Sequence, residues 1–378
     1  MLKEVITIKK ILFGITSLTL GGAERVLVDI SNKLSEKYDI TIFSIYDNGE
    51  LKNDLNKNVK FKALYNCRYD ELTKLQKMWI PIKILLFSKI IYNKKIKQNY
   101  DTEIAFLEGP ITRLFSTKNK DVHKIAWIHN DIEKVFGNDL KSKIKKYIDK
   151  KIYKKYNDLV FVSQDNMEKF QNIYNDLNTE NMHVIYNYID KDLVIKKSNY
   201  NIKVEFDYNS INFLTVCRLV KQKAIDRFIR VHSKLIKRGL KHKVYIIGDG
   251  PEKENLQKLI KQENVEDTFV LLGKKENPYP YIKNANYFCL LSEFEGYGMV
   301  LEEAKILNKP IIITNTAARE CIENYPKALI LENSEDEIYD GLYKLLNDND
   351  DKIFNNTQTS TEYDNTEKLQ KIIELVGD

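Results

Sequence analysis

The sequence predicts two α/β domains, each built around a doubly wound parallel sheet, and three observations support this prediction. Short apolar runs of strand length alternate with segments of helical length, which is the rhythm of consecutive βα units. The rhythm stops in a polar stretch at 190–210 and then restarts. The chain has 378 residues, which is enough for two domains that each bury a core.

The apolar runs define the predicted strands, which fall into two groups. The first half contains Ile11–Thr16, Ile40–Ile45, Val59–Leu64, Glu103–Leu107, Lys124–Ile128, Leu159–Ser163 and His183–Tyr186. The second half contains Asn212–Cys217, Val244–Gly248, Phe269–Gly273, Phe288–Ser292, Ile311–Thr314 and Ala328–Leu331. We therefore predict domains at 1–190 and 211–350 with a linker at 191–210. The apolar spacing near the end of the chain predicts a helix, and we expect 365–378 to pack back on the first domain.

Composition and charge exclude several classes of protein. Hydrophobic residues make up 43% of the chain, which is too many for a disordered protein, and four widely spaced cysteines form no CxxC pair. No run of about 18 apolar residues and no signal peptide is present, so we expect a cytoplasmic protein. Residues 1–190 carry 32 Lys+Arg against 24 Asp+Glu, a net of +8, whereas the remaining 188 residues carry 28 against 30, a net of −2.

The first motif is the pair Gly21-Gly22, directly after the first predicted strand and at the start of a helix that ends near Leu34. Glycines allow close backbone approach to a ligand, and a helix N-terminus presents free N–H groups to an anion. The same residues also suit a tight turn without a ligand. The dinucleotide fingerprint GxGxxG is absent, which disfavours an NAD-type site.

Two further motifs follow strands of the second half. Arg218 and Lys223 lie after the first of these strands, where two cations could neutralise a diphosphate, although such a pair is often only solvated surface charge. Glu295 lies in a Gly-rich turn after the strand that ends near Leu291, and Glu303 lies one turn into the next helix. A single carboxylate can accept hydrogen bonds from two ribose hydroxyls.

These motifs resemble the family 4 type of retaining glycosyltransferases with the GT-B fold. The family's S-x-x-EGFG-x-x-x-x-EA motif is matched by Ser292, Glu295-Gly296-Tyr297-Gly298 and Glu303-Ala304. Its GRL-x-x-x-KG motif appears as 217–219 with Lys223-Ala224, where Ala replaces the usual Gly. The segments 248–251, 187–190, 21–25 and 127–130 also match, so that the resemblance covers roughly 10–345. It implies two facing Rossmann-like domains, with the acceptor on the N-terminal one and the nucleotide-sugar on the C-terminal one.

The resemblance also implies roles for individual residues. Arg218 and Lys223 would bind the donor diphosphate and stabilise the charge on the leaving group, so that no metal and no other cofactor is expected. Glu303 would bind the ribose, Glu295 the donor sugar, and His129 would reach the same sugar from the first domain, although a structural histidine is the alternative. The expected catalytic residues are Glu295, His129, Arg218 and Lys223. The expected nucleotide-sugar-binding residues are Gly21, Gly22, Arg218, Lys223, Glu295, Gly296, Tyr297, Gly298, Met299, Val300 and Glu303.

Two basic segments of the first half suggest a membrane surface as a partner. The window 71–100 carries seven Lys against Glu71 alone, and 78–92 is rich in apolar residues that include Trp79 and Phe87. Trp, Tyr and Lys beside apolar residues suit a membrane interface, but a buried helix explains the same pattern, and the sequence leaves both open. The segment 141–156 carries eight Lys and an apolar stripe that is typical of a surface helix.

The function that these observations predict is a retaining, metal-independent glycosyltransferase that uses a nucleotide-sugar, with UDP-sugars preferred. Its acceptor would be a glycan or a lipid-linked glycan of bacterial surface polysaccharide synthesis, reached at the cytoplasmic face of the membrane. One alternative is a GT-B enzyme that transfers nothing, such as a sugar-nucleotide 2-epimerase. Another is a non-enzymatic basic protein that binds lipid or nucleic acid, but no nucleic-acid-binding signature is present.

Overall fold

The computed structural model describes residues 8–19, 21–47, 49–117, 119–129, 140–348, 354 and 363–377. The chain divides into two compact units. The N-terminal unit comprises Met1–Ile189 together with Asn365–Asp378, and the C-terminal unit comprises Asp190–Asp364.

The N-terminal unit contains a seven-stranded parallel sheet in the order β3-β2-β1-β4-β5-β6-β7. Its strands are β1 (Lys10–Ile15), β2 (Asp39–Tyr46), β3 (Lys60–Tyr65), β4 (Thr102–Ala105), β5 (His123–Ile128), β6 (Asp158–Phe161) and β7 (Met182–Val184). Its helices are α1 (Gly22–Leu34), α2 (Lys74–Ile91), α3 (Pro110–Phe115), α4 (Leu140–Tyr153) and α5 (Gln164–Ile173). The order reverses beside β1, so the carboxyl ends of β1 and β4 border the crevice where such sheets bind ligands.

The C-terminal unit repeats this design with a six-stranded parallel sheet in the order β10-β9-β8-β11-β12-β13. Its strands are β8 (Ile211–Val216), β9 (His242–Ile247), β10 (Phe269–Gly273), β11 (Tyr287–Leu290), β12 (Ile311–Thr314) and β13 (Ala328–Leu331). Its helices are α6 (Lys191–Ser198), α7 (Ile225–Lys237), α8 (Lys253–Glu263), α9 (Tyr279–Asn284), α10 (Met299–Ile306), α11 (Arg319–Ile322) and α12 (Glu335–Asp348). Here the order reverses between β8 and β11.

The structure confirms the predicted fold class, and each predicted strand forms within two residues of its expected bounds. The strands read as continuous apolar runs because both faces of each parallel sheet are buried by helices. The last helix, α13 (Thr366–Gly377), belongs to the N-terminal unit and buries Ile372 and Val376. Its Val376 carbonyl accepts a hydrogen bond from Thr102 Oγ1 at 3.3 Å.

The segment 191–210, for which the sequence predicts a linker, instead begins with a helix of the C-terminal unit. The carboxylate of Asp190 caps α6 by accepting the Leu193 amide at 2.9 Å, and Val194 is buried where α6 packs against α9. Asn277 Nδ2 also donates to the Lys197 carbonyl at 2.8 Å. A cap and one buried apolar residue are enough to hold two turns of helix once a neighbouring helix covers them.

Helix α2 presents much of its apolar surface to solvent. Only Ile80 and Ile84 are buried within it, whereas Trp79 is 58% exposed and Leu86 is 67% exposed. The end of the helix is anchored by Tyr92, whose hydroxyl donates to Glu103 at 2.7 Å. The sequence left open whether 78–92 is a buried helix or an interfacial one. The structure shows that most of its side chains are not buried.

A pair of buried histidines joins α7 to β9 in the C-terminal unit. His232 Nδ1 and His242 Nε2 lie 2.8 Å apart, His232 Nε2 lies 2.9 Å from Thr268 Oγ1, and His242 Nδ1 donates to the Leu240 carbonyl at 2.9 Å. Burial lowers the pKa of His232 to about 2 and that of His242 to about 4. Both rings are neutral in the folded protein at neutral pH.

We predict that acid destabilises the protein through this pair. An unfolded histidine has a pKa near 6.5. Below that pH, both histidines therefore bind protons in the unfolded state but stay unprotonated in the folded state. The unfolding free energy should fall by up to about 1.4 kcal/mol per pH unit for each ring, beginning near pH 6.5 and ending at the folded pKa. Calorimetry of the wild type and of His232→Gln/His242→Gln between pH 7 and pH 4.5 measures the difference, and equal pH slopes would contradict the prediction.

Candidate active site

The loops after β8 and β11 meet at the carboxyl edge of the C-terminal sheet. The two strands are neighbours, with Phe213 opposite Tyr287 and Leu214 opposite Phe288. The segments 217–224 and 292–298 therefore leave the sheet side by side. This is the position at which doubly wound sheets bind their ligands.

Two of the predicted site residues, Lys223 and Glu295, form an ion pair across these loops. Lys223 Nζ bonds to Glu295 Oε1, which also accepts a hydrogen bond from Ser292 Oγ at 2.8 Å. The side chains are only 17% and 8% exposed, respectively. A lysine ammonium has three N–H donors, so Lys223 can keep this partner and still donate to a phosphate oxygen.

Arg218 lies after the same strand as Lys223, with its side chain exposed to solvent. Within the part of the chain that the structure describes, its guanidinium forms no side-chain hydrogen bond or ion pair. The cation is thus available at the sheet edge. An arginine in this position can bind a phosphate through two parallel N–H···O bonds.

The second predicted carboxylate, Glu303, lies within α10 and is half-buried. Tyr279, which precedes it by 24 positions, donates a hydrogen bond from its hydroxyl to Glu303 Oε1 at 3.1 Å. Its neighbour Glu302 has a different role, because it is 1% exposed and accepts a hydrogen bond from Tyr297. Of the two adjacent glutamates, Glu302 therefore points into the core, whereas Glu303 is partly exposed.

The glycine-rich turn between Glu295 and α10 leads into a helix N-terminus. Gly298 has a left-handed backbone with φ +74°, where L side chains are strained. Met299 and Val300 begin α10, and amides of a first helical turn lack acceptors within the helix. Gly296 is half-buried in the same turn. The side chain of Tyr297, a predicted binding residue, is buried against Glu302, so the backbone is the part of Tyr297 that could meet a ligand.

The loop after β9 packs directly against the loop that carries Arg218. Gly248 has φ +146°, and a Cβ there would lie 1.8 Å from the Cys217 carbonyl oxygen. A Cβ on Gly250 would lie 2.3 Å from the Leu219 carbonyl oxygen, and the Leu219 amide donates to the Asp249 carbonyl at 3.0 Å. Both positions therefore require glycine, because any side chain would overlap the backbone of the loop that carries Arg218.

Ala224, which stands where the family usually has glycine, adopts a left-handed backbone with φ +48° and ψ +37°. This conformation costs an alanine roughly 1–2 kcal/mol and costs a glycine almost nothing. Ala224 thus makes a turn that suits glycine, at some expense in stability.

The predicted residues of the N-terminal unit lie at the carboxyl edge of its own sheet. Gly21 precedes α1, which begins at Gly22, and a Cβ on Gly21 would lie 2.1 Å from Glu24 Oε2. Arg25 of the same motif is structural, since it pairs with Asp29 at 2.9 Å and with Asp54 at 2.6 Å.

His129 follows β5, and its ring packs against that of Phe106 at an interplanar angle of 52°, with ring centroids 4.7 Å apart. Burial lowers its pKa to about 3, so the ring is neutral at physiological pH. Its amide donates to Glu108 Oε1 at 2.7 Å, while its Nε2 has no hydrogen-bond partner among the described residues. A buried, neutral ring nitrogen of this kind can bind a hydroxyl group.

Comparison with known proteins finds glycosyltransferases. Residues 196–361 match the family described as "Glycosyl transferases group 1". A Campylobacter jejuni protein named N-acetylgalactosamine-N,N'-diacetylbacillosaminyl-diphospho-undecaprenol 4-alpha-N-acetylgalactosaminyltransferase is 28% identical over 88% of this chain and 89% of its own length. The Escherichia coli O-antigen biosynthesis glycosyltransferase WclY is 24% identical over 81% of this chain and 80% of its own.

The protein is a glycosyltransferase, and its C-terminal half is similar to this family. The crystal structure of Anabaena HepE in complex with UDP and glucose is similar to it in fold, with a TM-score of 0.75 at 16% identity over 98% of this chain and 99% of that one. The glycosyltransferase thus has the GT-B fold. Within its described residues, no helix is both long and apolar enough to cross a bilayer.

Sequence reasoning did not identify several residues that shape the site. Tyr279 contacts Glu303, and Gln222 and Asn333 bind the backbone of the loop that precedes Glu295. None of these three residues occupies a motif position to which the sequence assigns a chemical role. Their roles depend on which loops lie side by side, and a single sequence carries no signal for that.

We predict that Gly248→Ala destabilises the glycosyltransferase more than Gly239→Ala. Both glycines have positive φ, but a Cβ on Gly239 meets nothing within 4 Å, whereas one on Gly248 overlaps the Cys217 carbonyl. The overlap should add roughly 1–3 kcal/mol of strain to the cost of the left-handed backbone. Thermal unfolding of the two variants measures this difference, and equal melting temperatures would argue against the close approach.

Proposed function

We propose that the enzyme transfers a sugar from a nucleotide-sugar, with UDP-sugars preferred over GDP-sugars, to a glycan or lipid-linked acceptor of surface polysaccharide synthesis. The convergence of Lys223, Glu295 and the first turn of α10 at one sheet edge carries the proposal. The names of the C. jejuni and E. coli relatives support the acceptor class, and the UDP in HepE supports the nucleotide.

In this proposal Arg218 and Lys223 bind the diphosphate and stabilise the negative charge that develops on it as the glycosidic bond breaks. Glu303 accepts hydrogen bonds from the ribose, and Glu295 binds the donor sugar with the help of the amides at Gly298, Met299 and Val300. His129 provides a neutral ring nitrogen for a sugar hydroxyl. Two fixed cations make a divalent ion unnecessary, and the new bond keeps the anomeric configuration of the donor.

Transfer itself is tested with a panel of UDP-, GDP- and ADP-sugars and a lipid-linked glycan acceptor. The proposal requires donor turnover that depends on the acceptor, activity in EDTA, and a product with the donor's anomeric configuration by NMR. Donor conversion without an acceptor would indicate an epimerase instead. Activity that EDTA abolishes and Mn²⁺ or Mg²⁺ restores would overturn the metal-independent part.

We predict different effects for the two kinds of site residue. Lys223→Ala should lower kcat about 100-fold or more, because it removes a preorganised charge from the leaving group. Glu303→Ala should weaken UDP binding by roughly 1.5–3 kcal/mol, because the ribose loses a charged acceptor. Steady-state kinetics measures the first effect and calorimetric titration with UDP measures the second, and Glu302→Gln serves as a control for folding. Unchanged UDP affinity in folded Glu303→Ala would overturn the ribose assignment.

We also propose that helix α2 binds an anionic membrane surface, which brings the enzyme to a lipid-linked acceptor. The helix exposes Leu75, Met78, Trp79, Ile82, Leu86, Phe87 and Ile90. Lys74, Lys83 and Lys89 are exposed beside these residues, and the following segment adds Lys94 and Lys95. Each lysine near an anionic surface contributes about 1 kcal/mol, so the charges and the apolar side chains act together.

Charge reversal of this helix should abolish binding to anionic liposomes. We expect the variant with Lys74, Lys77, Lys83, Lys89, Lys94 and Lys95 changed to Glu to stay in the supernatant at about 0.15 M salt, where screening acts over roughly 8 Å. Reversal of six lysines of the C-terminal unit (Lys237, Lys241, Lys258, Lys261, Lys283 and Lys344) changes the net charge equally and should leave binding intact. Co-sedimentation measures both. Equal pelleting of the two variants, or no pelleting of the wild type, would contradict the proposal.

A further inference from the structure

The loop that leads to Glu295 is held by side chains from four different places in the C-terminal unit. Four consecutive carbonyl groups, from Leu291 to Phe294, each accept a hydrogen bond from a distant residue. The donors are Arg227 Nη2 to Leu291 (2.8 Å), Thr314 Oγ1 to Ser292 (2.6 Å), Asn333 Nδ2 to Glu293 (2.8 Å) and Gln222 Nε2 to Phe294 (2.9 Å). We call these four donors the carbonyl clamp.

Gln222 connects the two halves of the proposed sugar site. Its side chain holds the Phe294 carbonyl, and its own carbonyl accepts the Glu293 amide at 2.9 Å. The next residue is Lys223, which pairs with Glu295. Gln222 therefore sets the position of the lysine loop and of the glutamate loop relative to each other.

Asn333 holds the same loop from the other side, and its amide has a defined orientation. Arg227 Nη2 donates to Asn333 Oδ1 at 2.9 Å as well as to the Leu291 carbonyl. An arginine can only donate, so the oxygen of the Asn333 amide must face it. The amide nitrogen is thereby directed to the Glu293 carbonyl, two residues before Glu295.

A loop of this kind is not needed to hold the sheet together, because it follows the last residue of β11 and lies at the sheet edge. What the clamp does determine is where the carboxylate of Glu295 lies. A group that binds a reacting sugar supports catalysis only when its position is fixed before the substrate binds. Displacing such a group by about 1 Å can lower the rate about 100-fold.

We propose that Gln222 and Asn333 are positioning residues that act through Glu295 on the sugar-transfer step. This inference rests on the proposed function, in which Glu295 binds the donor sugar. Neither residue touches the nucleotide in this scheme. Loosening the clamp should therefore impair transfer of the sugar without impairing binding of the free nucleotide.

The test uses variants that remove one donor each and keep the shape of the side chain. Gln222→Met removes the bond to the Phe294 carbonyl, and Asn333→Asp removes the bond to the Glu293 carbonyl while keeping an acceptor for Arg227. Each should lower kcat about 10- to 100-fold. The melting temperature and the Kd for UDP should stay as in the wild type. Gln262→Met, on the exposed surface of α8, is the matched control and should have normal kcat.

A double-mutant cycle with Glu295→Gln decides whether the clamp acts through Glu295. If it does, Gln222→Met lowers kcat in the wild type but has little further effect in the Glu295→Gln background. The same fold-loss in both backgrounds, an unchanged kcat, or a parallel loss of melting temperature and UDP affinity would overturn the inference. Normal turnover of Glu295→Gln alone would overturn the proposed role of Glu295 itself, and with it that of the clamp.

Discussion

The parallel pairing of β8 with β11 is the constraint on which the candidate active site depends. Parallel strands require a crossover connection, so two neighbours in the sheet can be far apart in the chain, and here about 70 residues separate the loops that follow them. Because both strands end at the same edge, Lys223 and Glu295 meet there. The hydrogen bonds of Gln222 then join the two loops into one structure.

Burial keeps some of the titratable groups at the carboxyl edges of the two sheets neutral. At the edge of the C-terminal sheet, Lys223 pairs with Glu295, and Arg218 is exposed to solvent. His129 is surrounded by aromatic rings and is neutral. Cys217 lies beside the lysine loop, but burial raises the pKa of its thiol to about 12, so it remains protonated and is a poor nucleophile. The edge of the C-terminal sheet thus carries an ion pair and an exposed arginine, and the edge of the N-terminal sheet carries a neutral histidine.

The N-terminal unit differs in that it exposes an apolar helix, α2, which is attached to a buried core. Helix α2 buries little of its own surface, and its end is tied to the core through Tyr92 and Glu103. Glu103 is fully buried and is paired with Lys124, whose ammonium also donates to the Phe115 carbonyl at 2.9 Å. This pair therefore fixes the acceptor that Tyr92 uses, while Ile80 and Ile84 pack the helix against the same core.

The sequence by itself determined the strands, the two sheets and the type of loop at each sheet edge. These features are local, because a buried parallel strand must be continuously apolar and a turn that approaches a ligand must contain glycine. It also predicts Glu295, Glu303, Arg218 and Lys223 as site residues, since the spacing of these charges resembles a known motif. In contrast, only the tertiary structure decided that 191–198 forms a helix and that α2 is exposed, because both depend on which neighbour covers an apolar face. The partnership of Tyr279 with Glu303 and the carbonyl clamp likewise came from tertiary structure alone. They are contacts between loops that are distant in sequence, and no local pattern of residues encodes which of those loops lie side by side.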